Sequence, residues 1–188
     1  MTAPISGNGP KRSILTSKLF DIVITRRDTT MDCTFMTEQG KFNYRVGAII
    51  KNGKQVLMAR NPNETREFYY SVGGRVKFGE TLESAVLREL KEETGLDCEI
   101  DRIACLHENF FTDDEGVPFH EVSVFFFIKP TEDLLKIENG HYTSGGPGGE
   151  YLEWIDLDNS EGITIYPEFY RSPEFMHGSN MCHFTTRD

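Results

Sequence analysis

Several common protein classes are excluded by what this chain has little of. It has four cysteines in 188 residues, Cys33, Cys98, Cys105 and Cys182. None forms a C-x-x-C pair or a zinc-ligand spacing, so a disulfide framework and a zinc ribbon have no support and reduced packing cysteines are expected. No apolar run reaches the ~20 residues of a membrane helix, and Met1 to Lys18 has no apolar signal core, which gives the expectation of a cytoplasmic protein without a membrane partner. Basic residues are scarce: 20 Lys and Arg face 30 Asp and Glu, for a net charge of −10. Such a surface repels polyanions, so a nucleic-acid duplex is not expected as a partner. A small phosphorylated molecule remains compatible, because metal ions held by carboxylates neutralise phosphate locally. No internal repeat is visible.

Hydrophobic residues make up 38% of the chain, enough for one domain with a sizeable core. Residues 1–31 read as an N-terminal arm, rich in Ser, Gly, Pro and Thr over residues 1–18 and with Phe20 to Thr25 as a candidate short strand. Residues 32–188 form the expected single domain. Tyr44 to Ile50 and Gln55 to Ala59 read as neighbouring strands joined at Asn52-Gly53, a strong hairpin signal. Further strands are expected at Phe68 to Val72, Cys98 to Asn109, Val122 to Lys129, Tyr151 to Ile155 and Met181 to Thr185, with a short helix at Pro167 to Arg171. Val124 to Ile128 is apolar at every position, the mark of a strand buried on both faces. This order of elements suits an α/β protein, a mixed sheet covered by helices on both sides.

The most informative stretch is Gly74 to Leu96, GRVKFGETLESAVLRELKEETGL. Thr81 is placed as an N-cap, Glu83 lies in the first turn and Gly95 is a C-terminal stop, so a helix is expected between them. Leu82, Ala85, Val86 and Leu90 supply its apolar stripe. Glu89, Glu92 and Glu93 converge on one face at i, i+3 and i+4. Glu89 and Glu93 repel by a few tenths of a kcal/mol, and Glu92 and Glu93 stand at the helix end where the dipole disfavours carboxylates. A divalent cation would offset these costs, and hard oxygen ligands suit Mg²⁺ first and Mn²⁺ second. The bland alternative is a solvated acidic face with an Arg88–Glu92 pair.

These residues resemble a known signature. Gly74, Glu80, Arg88, Glu89, Leu90, Glu92, Glu93, Gly95 and Leu96 fill every fixed position of G-x5-E-x7-R-E-U-x-E-E-x-G-U, where U is aliphatic, the box of the Nudix hydrolases (the MutT-like family). A chance match is on the order of one in ten million at average residue frequencies. The resemblance is specific over 73–96 and looser over about 41–157. It implies the Nudix fold, an α/β/α sandwich with a mixed β-sheet, in which the box is a strand–loop–helix unit. It also implies Mg²⁺-dependent hydrolysis of a pyrophosphate bond. Carried onto this chain, the ligands are Glu89, Glu92 and Glu93 with the carbonyl of Gly73. Arg88 then orients a box glutamate, Glu80 fixes the loop, and Gly74 and Gly95 support its backbone. The family's general base varies: Glu89 is the candidate inside the box, Glu150 after the glycine cluster 145–149 the loop candidate, and Glu121 its competitor. One departure is visible, since Val72 stands where many members have proline before the paired glycines.

Substrate contacts are less legible. Arg75 follows the glycines and Lys77 lies in the box loop. Strand alternation puts Arg45 beside Gly47, opposite the Tyr44, Val46, Ala48 and Ile50 face, where it would meet either a substrate phosphate or an internal carboxylate. Phe110 and Phe111 are candidates to stack on a base. No subgroup mark is evident at Phe110-Phe111-Thr112, so the reading stops at a nucleoside diphosphate linked to another group: a nucleotide sugar, ADP-ribose or a dinucleotide. The alternatives are a sanitising nucleoside triphosphate pyrophosphatase and a non-catalytic nucleotide sensor. Oligomeric state is left open, a homodimer included.

Overall fold

The structure is a computed structural model describing residues 31–64 and 67–188. The N-terminal arm up to residue 30, with the candidate strand Phe20 to Thr25, lies outside them. Eleven strands are present among the described residues: β1 (Thr34–Thr37), β2 (Gly40–Ile49), β3 (Lys51–Asn52), β4 (Gln55–Arg60), β5 (Tyr69–Arg75), β6 (Ile100–Thr112), β7 (Pro118–Ile128), β8 (His141–Tyr142), β9 (Tyr151–Asp156), β10 (Ile165–Tyr166) and β11 (Cys182–Arg187). They form a sheet in the order β11-β6-β7-β2-β5-β4-β9-β8, with β1, β3 and β10 attached at its margins. It is mixed, because β2–β7, β6–β11 and β5–β10 are parallel and the remaining pairs antiparallel.

Side-chain alternation divides the core in two. On one face Val46 and Ala48 of β2, Val72 of β5 and Val124 and Phe126 of β7 meet Ala85, Val86 and Leu90 of helix α1 (Leu82–Thr94). Leu134 of the one-turn helix α2 (Glu132–Leu135) joins this cluster. On the other face Phe125 and Phe127 pack with Phe169, Tyr170, Phe175 and Met176 from a 3-10 turn (Glu168–Arg171) and helix α3 (Pro173–His177). The uniformly apolar run in β7 is therefore buried from both sides, as its composition requires.

Helix α1 has the termini its sequence encodes. Thr81 Oγ1 accepts from the Ser84 amide at 3.2 Å, and Gly95 adopts φ 75°, left-handed, with its N–H on the Lys91 carbonyl. Helix α3 was not anticipated, although its signal is present in the sequence: Ser172 caps it through the Phe175 amide, and Pro173 occupies the first turn.

The hairpin expectation holds only locally. Asn52 pairs with Gln55 across a turn through Gly53, but β2 does not pair with β4, since β5 lies between them. The turn signal fixes its immediate neighbours, whereas β2 is claimed on one edge by β7 and on the other by β5. That second edge is shared. β5 pairs with Arg45 to Ala48, and β1 takes over at Gly40 to Asn43. Between them the chain leaves the sheet into the box loop, held by Val76 N–H to Tyr44 O and by Cys33 N–H to Val76 O. Arg45, Gly74, Arg75, Lys77 and the helix residues Arg88, Glu89 and Glu92 gather at this opening.

Candidate active site

Arg88 organises the box. Its guanidinium bonds Glu80 through Nε at 2.8 Å and Nη2 at 3.0 Å, Glu89 through Nη1 at 2.7 Å, and the Arg75 carbonyl through Nη2 at 3.0 Å. Glu92 accepts more weakly from Nη1, at 3.4 Å. Glu80 in turn accepts the Lys77 amide at 3.0 Å, so one carboxylate ties the loop to the helix. The hydrogen bonds from Arg88 hold the Glu80 carboxyl below its ordinary range, and Glu80 raises Arg88 correspondingly. Arg88 thus acts on Glu89 and the loop with a planar fork that a lysine could not reproduce.

Glycine at 74 is a condition of this arrangement. A Cβ there would lie 2.4 Å from the Glu89 carboxyl carbon, so only a bare backbone lets Glu89 approach the strand. Glu89 is nearly enclosed, with 14% of its side chain exposed.

Glu93 lies deeper. Its Oε1 accepts the Gly73 amide at a long 3.4 Å, and its Oε2 is sealed from solvent without a hydrogen-bond partner. Burial, then the charges of Glu150 and Glu89, push its carboxyl up to about 8. Glu150 comes from the loop before β9 and lies near the half-buried Tyr70, whose hydroxyl is raised by burial and by that carboxylate. The structure therefore brings Glu150 to the box across a long stretch of chain.

A cavity of about 350 Å³ opens beside these groups, lined by Glu89, Glu92, Arg88, Gly74, Arg75, Arg45, Lys77 and Asp32. Arg45 and Arg75 are direct cross-strand partners, and the Arg75 Nε is buried without a partner. Two adjacent cations at a cavity wall repel, and an anionic ligand between them would remove that cost. Asp32 sits 3.5 Å from Arg75. Sequence reasoning passed over it, because nothing local distinguishes an aspartate at a domain boundary. Glu121 reaches Arg45 at 3.8 Å and is held by the buried Asn43 at 3.2 Å and by Ser123 at 3.4 Å. Arg45 thus has an internal carboxylate and also faces the cavity.

Phe110 and Phe111 do not line this cavity. Phe110 stacks on His120 at 4.4 Å under the Arg187 guanidinium, and Phe111 stacks on Phe119 at 4.8 Å. The length of the β6–β7 hairpin carries both rings away from the box, which spacing alone could not show. Tyr70 is an aromatic side chain near Glu150 and Glu93.

Among the described residues no three acidic or imidazole side chains close into a ready metal cage. The donors nonetheless fit a hard divalent ion. Glu93 has a buried orphan oxygen, Glu89 and Glu150 raise its proton affinity, and Mg²⁺ is commonly held by one or two carboxylates with the remaining positions taken by water and phosphate.

The chain is similar to several known proteins. An ADP-ribose pyrophosphatase from Methanocaldococcus jannaschii is 34% identical over 113 residues, 60% of each chain. An NAD-capped RNA hydrolase, NudC, from Chromobacterium violaceum is 27% identical over 118 residues, 62% of this chain and 39% of the relative. The matches therefore span less than two thirds of the length of these relatives. The crystal structure of a mutator MutT protein from Bacillus halodurans superposes with a TM-score of 0.55 at 20% identity, over 77% of this chain and 90% of the other, which speaks to the fold. The NUDIX domain family model matches residues 41–171, and with that match this chain belongs to the Nudix family.

Proposed function

We propose that the chain hydrolyses the phosphoanhydride of a nucleoside diphosphate linked to another group, of the nucleotide sugar, ADP-ribose or dinucleotide type, with Mg²⁺ as cofactor. The observation that carries this reading is that Glu89 and Glu92 line a cavity walled by Arg45 and Arg75, while Glu93, buried with an unpartnered oxygen, feels the charges of Glu89 and Glu150. ADP-ribose and an NAD cap, named for two relatives, both hold a diphosphate between two larger groups.

Glu89, Glu92, Glu93 and the Gly73 carbonyl would hold the metal, which when bound polarises phosphate oxygens and lowers the pKa of a water. Arg45 and Arg75 bind the diphosphate and orient it in line with the attacking water. Glu150 is assigned as the base. Its rivals are engaged elsewhere, Glu89 by Arg88 and Glu121 by Arg45 and Asn43. Attack on phosphorus moves one proton to Glu150, breaks the bridging P–O bond and releases a nucleoside monophosphate and a second phosphorylated product.

Two measurements test this. Incubation with Mg²⁺ and a panel of ADP-ribose, nucleotide sugars, dinucleoside polyphosphates and nucleoside triphosphates should release nucleoside monophosphate from the diphosphate-linked compounds. Pyrophosphate released from triphosphates alone would overturn the substrate class, and tight binding without turnover would overturn the enzyme. Glu150→Gln should lower kcat by about 10²-fold or more and remove the acidic limb of the pH–rate profile, whereas Glu121→Gln keeps that limb. A full-amplitude limb in Glu150→Gln would mean that Glu150 is not the base.

A further inference from the structure

We propose that the cavity at the end of the sheet opposite the box is a second anion site, in which Lys51, Arg102 and Lys129 hold the phosphoryl group of a phosphate monoester. Lys51 opens β3, six residues along the chain from Arg45, which puts this cavity roughly 20 Å from the box at ~3.3 Å per strand residue. The site is therefore separate from the acidic cluster, and the inference does not depend on the proposed hydrolysis.

The cavity measures about 270 Å³. Its charged lining is the three cations and Asp101. Arg102 has a near carboxylate, with Nη1 2.6 Å from Asp101, and Lys129 is 2.9 Å from Glu99. Lys51 is different. Its Nζ donates to the Met176 carbonyl at 2.6 Å, and among the described residues it forms no ion pair. A carbonyl satisfies one ammonium proton and leaves the charge in place.

Lys51 is partly buried and its neighbour is another cation, so burial and then Arg102 hold its ammonium below the ordinary lysine range. Arg102 cannot swing away, since its Nη2 is bound to the Gly178 carbonyl at 2.8 Å and its guanidinium lies 4.1 Å over the Phe127 ring. Two neighbouring cations with only one carboxylate, Asp101 beside Arg102, keep an excess positive charge in a chain of net charge −10, and an anion would stabilise it.

The rest of the wall decides the class of anion. The buried Phe127, Ile128 and Met176 bring narrow apolar edges to the cavity, and the exposed Pro130 completes that side. A bare ion would leave that surface wet, whereas the organic part of a phosphate ester would cover it. The shared chemistry is a tetrahedral phosphoryl dianion, and inorganic phosphate is its other source.

The experiment is a titration of the metal-free, isotopically labelled full chain with inorganic phosphate and, separately, adenosine monophosphate, read by amide chemical shifts at constant ionic strength. Saturable shifts are expected at Lys51, Arg102 and Lys129, weakened about tenfold or more in Lys51→Met and preserved in Lys51→Arg. Tighter binding of the nucleotide than of phosphate supports the ester, and equal affinities overturn the ester while retaining the anion site. Shifts confined to the box, or an unchanged affinity in Lys51→Met, would overturn the site altogether. Should Lys51→Met release α3, seen as loss of the native Phe175 and Met176 signals, Lys129→Gln decides. Its partner Glu99 is an exposed surface residue. An affinity unchanged by that substitution overturns the proposal.

Discussion

Two positions carry the arrangement at the box, and each fails in its own way. At position 74 the absent side chain matters: the atom that an alanine Cβ would strike is the end of the flexible Glu89 side chain. Gly74→Ala should therefore leave the melting temperature within a few degrees of the parent while lowering turnover by about 10²-fold or more, since the displaced carboxylate leaves its place at the reacting centre. A variant that melts normally and turns over normally would show that Glu89 has no fixed catalytic position. At Glu93 the charge matters. Its folded pKa is raised to about 8 from an ordinary 4.5. The stability this group contributes is thus fully present below pH 4.5 and is lost as pH rises towards 8. In EDTA at pH 8, Glu93→Gln should melt higher than the parent. Turnover in Mg²⁺ should fall by orders of magnitude, because a proposed metal ligand is gone.

At the scale of elements, the C-terminal segment packs against the face of the sheet opposite α1. The Phe169 ring lies 4.9 Å from Phe125 and Phe175 and 5.0 Å from Phe184, and it meets the imidazole of His107 edge-on at 5.6 Å. These rings join the 3-10 turn, α3 and β11 to β6 and β7. Phe169→Ala should cost about 3–5 kcal/mol of stability, measured by denaturant unfolding. The KM of the remaining folded enzyme should stay near normal, because this cluster lies across the sheet from α1. A large KM change with little loss of stability would contradict that division of labour. The sequence showed the segment in part, as a short helix at Pro167 to Arg171 and a terminal strand. It did not reveal α3, because a five-residue helix has too few turns for a periodic pattern.

For the whole molecule, two buried groups set the acid and alkaline limits of stability in opposite directions. Burial, then His183, push the His107 imidazole down to about 4, and its Nε2 lies 2.9 Å from Thr186 Oγ1. Above pH 6.5 His107 is neutral whether the chain is folded or not. As pH falls from 6.5 to 4 the unfolded chain takes up a proton that the folded one refuses, and about 3 kcal/mol of stability is lost. Glu93 works the other way in the metal-free protein, costing stability from pH 4.5 upward. Melting temperature in EDTA should therefore peak between about pH 5 and 6.5, and Mg²⁺ should shift that peak upward by stabilising ionised Glu93. His107→Gln should flatten the acid side of the curve. A melting profile identical with and without Mg²⁺ would count against a metal site at Glu93.

What the sequence determined by itself is what lies within one helix or one strand. The cap at Thr81, the stop at Gly95, the stripe ending at Leu90 and the spacing of Glu89, Glu92 and Glu93 along the helix are encoded over some twenty residues, and the double burial of Val124 to Ile128 needs no partner to be recognised. The tertiary structure decided which distant residues meet. It turned Glu150 towards Glu93, paired Glu121 with Arg45, brought Asp32 to the cavity wall, and carried Phe110 and Phe111 away from it. It also inserted β5 between β2 and β4, against the local hairpin signal. The physical reason is the same in each case: caps and periodicities are local, whereas strand order and register are set by competition among apolar surfaces far apart in the chain.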